Sequence, residues 1–292
     1  MERLLDGGHF FEAPRWCDGR WWVSDFYSHT VQAITPDGSA EEVFRFDGQP
    51  SGLGWMPDGT LLVVSMRDHR LLRVAADGSV SEHADVSEHC GGHLNDMVVD
   101  AEGRAYVGNF GYDLMGGGAP QETVLVRVDP DGAVSVAASG LRFPNATLIT
   151  PDGGTMLVNE TIAARISAFT IGADGSLSDH RIWAQVARTP ALEEGIEALE
   201  FAPDGGCLDA EGCVWAADAL HGRCCRVAEG GEVVEEIRAP DGLGLYACML
   251  GGDDGRTLLM CAAPDFFEEP RKAAREAVLL TETVAVPHAG RP

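Results

Sequence analysis

The chain has 292 residues, 45% hydrophobic and 23% charged, a composition that gives a sizeable buried core and excludes a disordered tail. Its formal net charge of −25, from 46 acidic and 21 basic residues, repels nucleic acid and anionic membrane surfaces, so neither is an expected partner. No stretch approaches the roughly 18 uninterrupted apolar residues of a membrane span, and MERLLDGGHFFEAP at the N-terminus lacks the layout of a signal peptide, so a cytoplasmic protein is expected.

From the N-terminus onward, acidic-Gly pairs flanked by apolar runs mark β-hairpins. Six of them open repeats: Asp18-Gly19, Asp58-Gly59, Glu102-Gly103, Asp152-Gly153, Glu211-Gly212 and Asp254-Gly255, spaced by 40, 44, 50, 59 and 43 residues. Each is followed by a strand-like run: RWWVSDF, TLLVVSM, RAYVGNF, TMLVNET, CVWAADA and RTLLMCA. Five repeats then carry a second turn, at Asp37-Gly38, Asp77-Gly78, Asp131-Gly132, Asp174-Gly175 and Glu229-Gly230. About four short strands per repeat is the blade of a propeller. The expectation is a single all-β domain over residues 1–292, a six-bladed β-propeller with four-stranded blades. EEPRKAARE, near residue 272, reads as a short surface helix, and AVLLTETVAVP supplies the strand that the last repeat lacks. Pairing between the chain ends would close the ring and leave no open strand edge.

In a propeller the strand before each first turn lies beside the central axis, so equal positions in it fall at equal depth. Counting back seven residues from the acidic turn residue reaches Ser51, Asn95, Asn145 and Asp204 in repeats two to five, and counting back six reaches Glu12 in repeat one. Polar side chains at that depth must bind each other, water or an ion. Two carboxylates with amide oxygens form a hard donor set suited to calcium, magnesium or manganese and tolerable to zinc or ferrous iron. A wet channel mouth is the plainer account of the same residues.

Other motifs carry less. The cysteines, at 17, 90, 207, 213, 224, 225, 248 and 261, form no C-x-x-C pair, so they are expected as free, buried thiols. Asn145 and Asn159 begin N-x-T patterns that have no use without secretion. His89 and His93 have helical metal-ligand spacing, but Cys90-Gly91-Gly92 between them opposes a helix, leaving His93 alone to reach the site. No G-x-S-x-G, H-E-x-x-H or G-x-x-x-x-G-K-[ST] motif occurs. The six tryptophans fall in strand patterns and are expected in the core between blades. Tyr112, Asp113 and Met115 lie in a long loop expected to overhang the site, where Tyr112 is a candidate substrate contact.

FEAPRW at Glu12, HLNDMVVDAEGRAYVGNFG around Asn95, LRFPNATLITPDG at Asn145 and PDGGCLDAEGCVWAADALHGRCCRV at Asp204 together resemble the senescence marker protein, regucalcin and gluconolactonase family. LVNETIAARISAFTIGADGSLS and CMLGGDDGRTLLMCAA extend the likeness over nearly the whole chain. The resemblance implies a six-bladed propeller holding one divalent metal, with Glu12, Asn145 and Asp204 as ligands, Asn95 beside the open side and Asp204 also as catalytic base. It implies a divalent-metal-dependent lactonase acting on a small molecule, with Ca2+ first among the metals and Zn2+, Mn2+, Mg2+ or Fe2+ as alternatives. A monomer or weak homo-oligomer is expected.

One departure from the family pattern bears on the substrate. Sugar-lactone members commonly carry Arg where this chain has His93, which is expected to contact substrate or shuttle a proton and to shift selectivity toward smaller or less hydroxylated lactones. Leu94 and Met97 point the same way unless they turn into the core. Ala13, Ala146 and Gly206 also differ from common family choices, but they remain small. The alternative functions are a non-catalytic calcium- or small-molecule-binding propeller, or a metal-assisted isomerase, dehydratase or cyclase.

Overall fold

The computed structural model describes residues 1–75 and 77–292. Antiparallel sheets stand around a central axis as the six blades of a β-propeller. Blade one is formed by Phe11–Cys17, Arg20–Asp25, Thr30–Ile34 and Ala40–Arg45. Blades two to five begin with Pro50–Trp55, Leu94–Val99, Pro144–Ile149 and Pro203–Asp209. Blade six combines Gly244–Gly251, Thr257–Ala263 and Ala277–Thr283 with Glu2–Gly8 from the N-terminus. The first strands of neighbouring blades touch around the whole ring, which places them innermost.

Each repeat-opening turn needs a residue at positive φ, and its glycine supplies it, with φ between 71° and 84° at all six positions. The strands that follow are buried on both faces between blades. Trp21, Leu62, Tyr106 and Trp215 are all 2% exposed or less, and burying each such side chain contributes roughly 1.5–3 kcal/mol. Trp183 is also buried, whereas Trp16 packs on Trp21 at 4.7 Å and Trp22 meets Trp55 edge-on at 5.4 Å. All eight cysteines are free, and five of them are buried. Leu94 and Met97, fully buried in the core, do not line the channel site, so the substrate argument from them falls away.

Closure follows the expected route: Glu2–Gly8 pairs with Ala277–Thr283. The one α-helix among the described residues, Glu268–Ala273, lies in the blade-six insertion. The tail departs from the simple four-stranded plan. His288–Ala289 adds a fifth strand to blade five, opposite Leu208 and Asp209, and Arg291 exchanges backbone hydrogen bonds with Ile149 of blade four. The inner strands present an unpaired edge to the axis, and the tail satisfies part of that edge at the end away from Asn145 and Asp204.

Candidate functional site

Every inner strand carries a bulge near its start. In blades two to five, two residues of the inner strand oppose one of its partner, inside Pro50–Leu53, Leu94–Met97, Pro144–Thr147 and Pro203–Gly206. Ser51, Asn95, Asn145 and Asp204 sit in those bulges, which bend the strand and re-aim its side chains. Blade one bulges immediately after Glu12, where Ala13 takes a φ of 48°, and blade six bulges at Tyr246. Close strand approach here demands small residues: a Cβ on Gly205 would meet the Ala247 Cβ at 2.5 Å.

Glu12, Asn95, Asn145 and Asp204 line one cavity of about 730 Å³, open at its mouth, and Tyr112 lines it as well. Asn145 Nδ2 donates to Asp204 Oδ1 and to Thr161 Oγ1, the latter at 3.3 Å. Thr161 Oγ1 in turn donates to the Pro203 carbonyl at 2.8 Å, and Asn159 Nδ2 to the Asp204 carbonyl at 2.7 Å. Blade four thereby fixes the segment that carries Asp204.

The charge balance is unusual. Burial, and then the charge of Asp204, raise the Glu12 carboxyl well above the usual range. Burial is likewise the largest influence on Asp204, pushed up to about 8, with the Asp96 carboxylate adding to it against the Asn145 hydrogen bond. The nearest cation is already engaged: Arg15 Nη2 pairs with Asp96 Oδ1 at 2.5 Å and with the Met97 carbonyl at 2.9 Å. Its Nε and Nη1 donate to the carbonyls of Leu53 and Pro14. Among the described residues no group of three His, Cys, Asp or Glu side chains forms a metal cluster. The donor set is instead two carboxylates and an amide, all oxygen ligands, and it lacks a positive charge of its own. A hard divalent cation fits that deficit.

Among the described residues that line the cavity, two buried donors have no partner, Asn95 Nδ2 and Tyr112 Oη. Aromatic residues from loops and strand ends surround them. Phe10 packs on Phe26 at 5.3 Å and on Tyr246 at 4.9 Å, and Tyr246 on Phe266 at 6.3 Å. Phe110 packs on Phe143 at 4.4 Å. Phe143 holds a φ of 56°, a costly conformation for a bulky residue and one that concentrates at functional sites. Phe26 and Phe110 share a repeat position, each eight residues after the acidic turn residue, and that recurrence is the sequence signal that could have found them, whereas Phe266 has no such counterpart. Arg15 and Asp96 stand beside Glu12 and Asn95 in the sequence, and their signal is charge inside strands buried on both faces.

His93 is not among the lining residues. Its ring stands 5.8 Å from that of Phe110, and burial, then the charges of Arg67 and His69, lower its pKa. It reaches the cavity only through Phe110. Met115 lines the mouth and Asp113 does not. No helix among the described residues is long and apolar enough to cross a membrane.

Residues 10–264 match the family described as SMP-30/Gluconolactonase/LRE-like region. A pentonolactonase of Haloferax volcanii is 27% identical over 259 residues, covering 83% of this chain and 82% of the relative. Two solved structures share the fold. A calcium-binding protein, regucalcin, from Agrobacterium tumefaciens has a TM-score of 0.78 and 20% identity, over 98% of this chain and 94% of its own. A gluconolactonase from Xanthomonas campestris has a TM-score of 0.72 and 20% identity, over 98% and 88%.

Proposed function

The chain belongs to the SMP-30/gluconolactonase/LRE-like family, and from that premise we propose that it is a divalent-metal-dependent hydrolase of lactones. The observation that carries this reading is the pairing of Glu12 and Asp204, two buried carboxylates short of a counter-charge, with the partnerless donors of Asn95 and Tyr112 in one cavity. The likeness to a protein named pentonolactonase supports it.

Glu12, Asn145 and Asp204 would hold the metal, with calcium the first candidate given the calcium-binding neighbour. When bound, the metal supplies Lewis-acid polarisation of the ester carbonyl and a lowered pKa for water. Asn95 Nδ2 and Tyr112 Oη donate to the two ester oxygens and hold the ring for attack. Asp204 accepts the proton of the attacking water as the new C–O bond forms. The ring C–O bond then breaks, the leaving oxygen takes up a proton, and a hydroxy acid departs. His93 acts as a positioning residue that sets the angle of Phe110.

The test is acid release in a pH-stat over a panel of lactones, on protein stripped with chelator and then reloaded with each divalent metal, alongside metal content by mass spectrometry. Turnover that disappears with the metal and returns with it is expected. Tight metal binding without turnover of any lactone would instead favour the non-catalytic calcium-binding cup.

A further inference from the structure

We infer that the lactone taken by this site is neutral and aryl-substituted, with its ring sandwiched between two aromatic banks, and is not a polyhydroxylated sugar lactone. The inference rests on the hydrolase reading above and specifies its substrate.

Three observations carry it. First, the aromatic residues form two groups. Phe10, Phe26 and Tyr27 of blade one join Tyr246 and Phe266 of blade six, while Phe110 and Tyr112 of blade three join Phe143 at the start of blade four. In a ring of six, the seam between blades six and one lies directly across the axis from the seam between blades three and four. A flat ligand entering along the axis therefore meets aromatic faces or edges on both sides.

Second, no Lys, Arg or His is found among the described lining residues, so nothing there recognises a carboxylate, phosphate or sulfonate. The acidic groups of the lining, Glu12 and Asp204, are balanced by the divalent metal of the hydrolase reading and leave no surplus positive charge for an anion. Third, the partnerless buried donors of the lining are two, Asn95 Nδ2 and Tyr112 Oη, enough for one ester group. A sugar lactone brings several further hydroxyls, and an apolar wall would strip each of water without replacing the hydrogen bond.

The experiment compares 3,4-dihydrocoumarin with glucono-δ-lactone on the metal-loaded protein, and runs in parallel the binding of their unreactive lactams, 3,4-dihydroquinolin-2-one and gluconolactam, by calorimetry. The expected kcat/KM ratio is about 100-fold or more in favour of the aryl lactone. Phe143→Ala and Phe266→Ala should each raise KM for it about three- to tenfold, with kcat near native. Glucono-δ-lactone turned over as well as the aryl lactone overturns the substrate class and leaves the hydrolase standing. Should neither lactone be hydrolysed, the lactams decide: preferential binding of the quinolinone sinks the hydrolase reading and keeps the aromatic ligand class. Equal binding, preference for gluconolactam, or no binding of either overturns the class.

Discussion

Arg15 of blade one and Asp96 of blade three form a buried ion pair at 2.5 Å that passes beneath the inner strand of blade two. With three carbonyls also accepting from the guanidinium, the pair ties three blades together, Arg15 three residues from Glu12 and Asp96 next to Asn95. Removing one partner leaves the other charged, buried and alone. Arg15→Met should therefore lower the unfolding free energy by about 3–5 kcal/mol in denaturant titration, whereas Arg15→Met with Asp96→Leu should recover most of that loss. A single variant as stable as the native chain would mean the pair holds nothing.

The metal-free protein should lose stability as pH rises. Glu12 and Asp204 have folded pKa values above their unfolded ones, so between the ordinary carboxylate range near ~4 and about 8 the folded state holds more protons than the unfolded. Stability is then greatest below the unfolded pKa and falls through that window. Thermal melts in chelator from pH 5 to 8 should show the decline, and added calcium should flatten it, because the cation takes the place of the protons. Asp204→Asn should flatten it without metal. A decline identical in all three conditions would belong to the overall negative charge instead.

Metal content separates the ligands from the donors. Asp204→Ala should abolish both binding and turnover, and Glu12→Gln should weaken the metal at least about tenfold by removing a charge. Asn95→Ala should keep the metal and lose about 10²-fold or more in kcat, as expected of a donor aimed at developing charge. Because its Nδ2 has no partner in the free protein, Asn95→Leu should also raise the melting temperature.

His93 should influence selectivity only through Phe110, the ring it packs against. His93→Ala is expected to raise KM for aryl lactones a fewfold, with kcat and its pH profile unchanged. His93→Arg should fail to bring in sugar lactones, since the guanidinium would start from outside the lining. A kcat profile that loses a limb in His93→Ala would restore it as a proton shuttle.

The ring of blades and the depth of Glu12, Ser51, Asn95, Asn145 and Asp204 were legible because a repeat converts sequence position into spatial position. The bulges preserve that conversion, displacing each strand by the same residue count. His93, expected to contact substrate, stands just before the inner strand of blade three and outside the cavity lining, and the repeat count fixes positions only within that strand. The aromatic banks were harder to see for a different reason: Phe26 and Phe110 recur at one repeat position but stand just beyond their strands, and Phe266 lies in the blade-six insertion, where no period applies. The fifth strand of blade five likewise comes from a tail outside the repeat.

That tail also bears on kinetics. His288–Ala289 and Arg291 pair with the inner strand edges of blades five and four at the end of the channel away from the candidate site. A channel obstructed there would make the hydroxy acid of the proposed reaction leave by the aperture through which the next lactone enters. Accumulated product would accordingly act as a competitive inhibitor, and its release past the aromatic rim, not bond cleavage, would set the turnover number for the bulkiest substrates.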